Sequence, residues 1–102
     1  MIILNTTFLV HKTIESQFID WVHQTYLPTA QQSGIFTDPV FSRVLLETDP
    51  EGTSYAIQLQ AKSHTDATQW HESEAALLKN TLAQKWSEKV LHFSTFMEIL
   101  NK

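Results

Sequence analysis

Residues 40–62 read VFSRVLLETDPEGTSYAIQLQAK, two alternating runs on either side of Asp49-Pro50-Glu51-Gly52. Alternation of apolar and polar positions marks a strand half-buried on one face, and Pro and Gly at the joint preset a turn, so the segment predicts a β-hairpin. A lone hairpin is marginal in water, so the flanking sequence must supply the rest of the layer.

The flanks have matching patterns. Residues 2–11, IILNTTFLVH, form a strand-like run; Thr13 is a plausible N-cap for a helix carrying Ile14, Phe18, Trp21, Val22 and either Thr25 or Tyr26 on one face. Pro28 should break or restart that helix, Gly34 suits its left-handed end, and Asp38-Pro39 opens the second strand. After the hairpin, Ser63-x-x-Asp66 resembles a capping box ahead of Ala67, Trp70, Leu77, Leu78, Leu82 and Trp86 at helical spacing. The HESE stretch at 71–74 is a candidate interruption, and KVLHFSTFMEIL reads as the last strand. The order β-α-β-β-α-β predicts an α+β, ferredoxin-like domain over residues 1–102: a four-stranded antiparallel sheet with two helices on one face. The first strand should lie between the third and the fourth.

Each strand can then be split into two faces. Giving the helices the more apolar half places Leu4, Phe8, Val10, Val40, Val44, Tyr55, Ile57, Leu59, Leu91, Phe93 and Met97 inward, with Thr6. The other face is expected to hold Asn5, Thr7, Arg43, Gln58, Gln60, His92 and Ser94 among Ile3, Leu9, Phe41, Leu45 and Phe96. A helix-free face with five large apolar side chains favours a cover, and the simplest cover is a second copy about a two-fold axis. The polar groups on it need partners, which a wet dimer interface or a small ligand would supply.

Composition excludes several classes. The seven Lys and Arg are scattered and the formal net charge is −4, so no basic stripe for nucleic acid exists. The central strands offer Asn5, Thr7, Gln58 and Gln60 where RNA recognition on this topology needs stacking aromatics. The absence of Cys removes disulfide, zinc-thiolate and thiol-nucleophile chemistry and makes a reducing cytoplasm the expected compartment. The first apolar run meets Asn5 too soon for a signal peptide or a membrane span. His64, His71, Glu72 and Glu74 lack metal-ligand spacing, and two glycines cannot build a phosphate loop or dinucleotide fingerprint.

The opening MIILNTTFLV, the YLPTAQQSGIF segment, the TDPEGTSYAIQLQ hairpin and the closing KVLHFSTFMEIL together resemble the bacterial family called domain of unknown function 4286, over essentially the whole chain. The resemblance implies a protomer similar to the dimeric α/β-barrel superfamily, whose members pair sheet to sheet. It transfers no catalytic residue. That superfamily includes small monooxygenases and haem-degrading enzymes in which an Asn on the first strand and a Trp and a His on the second helix frame a pocket. Asn5 and Trp70 look like the first two; about ten residues past the Trp this chain has Asn80, and His64 and His71 need another geometry to ligate haem. Trp70 also reads as core, by its spacing to Leu77 and Leu78.

The residues therefore predict a cytoplasmic homodimer with no cofactor or metal assigned and no catalytic residue named. Its inter-sheet cleft would expose Asn5, Thr7, Arg43, Gln58, Gln60, Trp70, His92 and Ser94 to a possible small-molecule ligand. Two alternatives stay open: a monooxygenase-like or haem-linked enzyme with His92 as acid or base, and a ligand-sensing regulatory module.

Overall fold

The computed structural model describes residues 1–45 and 51–101. Strand β1 (Ile2–His11) leads into a helical arm of α1 (Glu15–Trp21) and α2 (Leu27–Gln32); β2 (Phe36–Arg43) and β3 (Gly52–Ala61) follow. A second arm of α3 (His64–Glu72) and α4 (Glu74–Trp86) returns to β4 (Val90–Glu98). The sheet order is β2-β3-β1-β4, antiparallel throughout, so the central place of the first strand is as expected. The turn residues Asp49 and Pro50, with Leu46 and Glu47, lie outside the described residues.

Local chemistry explains most boundaries. The Ser63 hydroxyl accepts from the Asp66 backbone N–H at 3.1 Å, capping α3, and Ser73 separates α3 from α4 within the HESE stretch. Gly34 takes φ +72 just past α2, a region other residues enter at a penalty. Thr13 does not cap the first arm: His11 Nδ1 accepts from its backbone N–H at 3.2 Å and meets its hydroxyl at 2.8 Å. Pro28 restarts the helix, one of the two outcomes expected of it, without breaking the arm. A π turn over Val22–Tyr26, in which Leu27 donates to the Val22 carbonyl, admits one extra residue and leaves Pro28 in the first turn of α2. There its missing N–H leaves no hydrogen bond unmade.

Two strands face the opposite way from the sequence expectation. β2 begins at Phe36, two residues early, and Asp38-Pro39 forms a bulge with Asp38 at φ +51. Phe41 therefore lies opposite Ile57 on the helix side and Val40 opposite Gln58 on the open side. In β4 the partners are Val10–Val90, Phe8–His92, Thr6–Ser94 and Leu4–Phe96, which turns His92 and Ser94 inward and Leu91, Phe93 and Met97 outward. Both are edge strands with apolar residues on either side, so hydrophobicity alone does not phase them.

The core lies between the sheet and the two arms, around Leu4, Phe8, Phe18, Tyr26, Ile57, Leu59 and Leu82. Phe8 lies 5.2 Å from Phe18, and Phe36 4.9 Å from Trp70, ring centre to centre. Each such side chain contributes roughly 1.5–3 kcal/mol of transfer free energy. At the start of β3 the backbones close tightly: a Cβ on Gly52 would lie 2.5 Å from the Val10 carbonyl oxygen. Gly52→Ala must push two paired strands apart, and about 1–3 kcal/mol of stability should be lost. Urea denaturation checks this; an unchanged midpoint would show that the β1–β3 ladder gives way freely.

Candidate functional site

The structure divides the expected site residues between the two faces of the sheet. On the open face, Asn5, Thr7, Gln58 and Gln60 come together as expected: Asn5 pairs with Gln58 across the ladder and donates from Nδ2 to the Thr7 hydroxyl at 3.3 Å. Around them stand Ile3, Leu9, Ala56, Val40, Leu91, Phe93 and Met97.

Arg43, Trp70, His92 and Ser94 do not join them. Arg43 lies on the helix side of β2, where its Nε donates to the Tyr55 hydroxyl at 3.3 Å and its guanidinium rides over that ring. Trp70 is buried in the core, and its indole N–H donates to Glu74 Oε2 at 3.0 Å. His92 and Ser94 face α3 and α4, where they meet residues that the strand patterns did not single out.

That meeting point starts at Thr6, which is 1% exposed and the buried polar residue of the described core. Its hydroxyl lies 2.8 Å from Ser94 Oγ, and Lys79 of α4 donates to the same Ser94 oxygen at 3.1 Å. On the far side of Thr6 lies Tyr26, whose hydroxyl pKa burial, the larger effect, pushes up to about 12 while its neighbour Thr6 lowers it. Tyr26, Thr6, Ser94 and Lys79 thus form a chain of polar groups from the core to the rim. Beside it stand His92, with its ring 6.1 Å from Phe8, and His71, with its ring 5.5 Å from Phe96. The Nδ1 atom of His71 is buried and has no hydrogen-bond partner among the described residues.

The electrostatics follow from packing three nitrogen bases together. Burial, then Lys79, lowers the pKa of His71 against an upward pull from Glu72; burial, Lys79 and His71 lower that of His92; burial lowers that of Lys79. Among the described residues no three His, Asp or Glu side chains converge as metal ligands. The one available signal for this cluster was Thr6 itself: a hydroxyl in the core phase of β1 needs a partner, and Ser94 is the residue of β4 that meets it. A shallow groove of about 620 Å³ lies elsewhere, over Trp21 and Trp86 between α1 and α4, and does not reach these groups.

The fold is ferredoxin-like, of the kind found in dimeric α/β-barrel proteins. Its similarity to solved structures covers nearly the whole chain at low identity. HapK from Hahella chejuensis superposes with TM-score 0.73 at 14% identity, covering 100% of this chain and 95% of that one. A dimeric ferredoxin-like protein from an uncultured marine organism gives 0.68 at 14%, covering 99% and 96%. A monooxygenase from the gene ActVA-Orf6 of Streptomyces coelicolor, in complex with the ligand nanaomycin D, gives 0.69 at 12%, covering 99% and 88%. No curated protein matches the sequence. The profile of the family described as Domain of unknown function (DUF4286) matches residues 1–100, and the chain belongs to that family.

The lowered histidines fix a pH dependence. Both imidazoles bind protons more weakly in the folded chain than at the ordinary value of 6.5, so acidification through that value favours the unfolded state. Stability is intact above it and falls as the pH drops toward the folded-state values. The melting temperature should therefore decline between about pH 7 and pH 5.5. The decline should be smaller in a His71→Gln, His92→Gln double variant; equal slopes would show that other groups govern the acid limb.

Proposed function

We propose that this chain works as a homodimer joined through its open sheet faces and that it handles a small organic molecule. The observation that carries the dimer is the exposure of Phe93 at 62%, Leu91 at 56%, Val40 at 49% and Met97 at 38%, all on one helix-free face. Ile3 and Leu9 extend the same surface across β1. A monomer rarely leaves so much contiguous apolar surface in water. Four strands at about 4.8 Å and a central strand of ten residues give a face of roughly 600 Å² in projection. The accessible area of a corrugated face is larger, in the range of the roughly 800 Å² per partner of a standard interface.

The naming of one structural neighbour as a dimeric ferredoxin-like protein supports this reading. Asn5, Thr7, Gln58 and Gln60 would then form a polar stripe inside the joint, hydrogen-bonded to each other, to water or to the second copy. The small-molecule role draws support from the neighbour with nanaomycin D bound. An inter-sheet pocket shared by Asn5, His92 and Trp70 does not exist, because the last two lie across the sheet; the monooxygenase-like and ligand-sensing alternatives therefore move to the helix side. No helix among the described residues is long and apolar enough to cross a membrane, and the cysteine-free sequence supports a cytoplasmic setting.

Light scattering tests the dimer. The wild-type chain should have about twice the 11.7 kDa protomer mass at micromolar concentration. A Leu91→Asp, Phe93→Glu variant should fall to the protomer mass with its circular dichroism unchanged, since both side chains are exposed in the protomer. A wild-type monomer at high concentration overturns the proposal, as does a variant that stays dimeric.

A further inference from the structure

We infer that the seam between β4 and the α3–α4 arm is a binding site for a small organic monoanion, a carboxylate or ionised phenol on an aromatic body, anchored by Lys79 between His71 and His92. This deepens the small-molecule part of the proposed function and does not depend on the dimer, because the groups come from one protomer on the side of the sheet away from the joint.

Three observations converge. First, Lys79 is half-buried and bonded to Ser94 Oγ at 3.1 Å, and among the described residues it has no carboxylate partner. The nearby acids are otherwise placed: Glu74 receives the indole N–H of Trp70, and Glu72 acts on His71 from an exposed position on α3. A half-buried ammonium whose one partner among the described residues is a hydroxyl has donor capacity left over, and a small anion would use it. Second, the buried His71 Nδ1 has no partner among the described residues, so a guest that reached it as the seam opened would displace no protein hydrogen bond. Third, an aromatic ring borders the seam: Phe96 lies against His71 and His64 at 5.5 and 5.3 Å.

The charge selects the ligand class. Lys79 supplies one positive charge, while the imidazoles of His71 and His92, with lowered pKa values, are neutral near pH 7. One positive charge balances a monoanion and leaves the second charge of a phosphate monoester unpaired in a partly dry site. The rings favour a flat apolar body over a fully hydrated anion. The arriving negative charge also makes protonation of both imidazoles easier, so binding draws protons onto His71 and His92.

The test titrates the intact wild-type protein with sodium benzoate, with its uncharged isostere benzamide and with inorganic phosphate. Thermal shift is followed together with the imidazole nitrogen NMR signals of His71 and His92. Benzoate should raise the melting temperature in a saturable way and move both imidazoles toward the protonated form; benzamide and phosphate should do neither. Lys79→Met keeps the length and loses the charge, and should weaken benzoate at least about tenfold. The wild-type NMR arm keeps the test decisive should that variant fail to fold. Absence of any benzoate response, an equal response to benzamide, or a response to phosphate alone overturns the inference. Benzoate binding that survives Lys79→Met overturns this site and leaves the small-molecule role standing; the oligomeric mass is read separately.

Discussion

A single pair of hydroxyls, Thr6 Oγ1 and Ser94 Oγ at 2.8 Å, fixes how the last strand lies on the sheet. Side chains alternate along a strand, so a slip of one residue against β1 would exchange every group on one side of β4 for those on the other. Thr6 is buried on the core side of the central strand, and an unpaired hydroxyl there costs about 1–3 kcal/mol. Pairing it with Ser94 turns His92 to the helix side, where it stands exposed at the rim, and sends Leu91, Phe93 and Met97 to the open side. Both surfaces to which a role is assigned thus descend from one hydrogen bond.

The same contact explains what could and could not be read from the residues. Element order, the Ser63 cap and the break within the HESE stretch were legible because each rests on chemistry within a few positions, and strand order followed from the motif that the element order defines. The polar stripe of Asn5, Thr7, Gln58 and Gln60 was legible too, since β1 and β3 are central strands whose halves differ sharply in polarity. The facing of β2 and β4 was not. In β2 the Asp38-Pro39 bulge inserts a residue between Phe36 and Phe41, and in β4 the more apolar half is the outward one. A rule that sends the greasier side to the core fails where that side is the one left open, as in β4. The cluster of His71, Lys79, His92 and Ser94 was hidden for the same reason, as its members come from three elements and converge only once β4 is placed correctly.

The helical arms show how backbone irregularity serves that cluster. Without the π turn over Val22–Tyr26, the helix beyond it would be rotated by about 100°, one residue's worth, and Tyr26 would not reach Thr6. The polar chain from Tyr26 to Lys79 is therefore as much a product of that wide turn as of the sheet. Burial of Lys79 with only a hydroxyl partner is unfavourable to the fold at neutral pH, because its ordinary charged form is disfavoured there.

The bulge in β2 has a further meaning. An edge strand offers a row of free backbone groups to any other chain, and Pro39 together with the kink at Asp38 spoils that row along β2. The opposite border has no such guard: β4 pairs with β1 in unbroken register and contains neither Pro nor Gly. Of the two borders, β4 is therefore the one whose backbone groups stay in line for another strand to pair with.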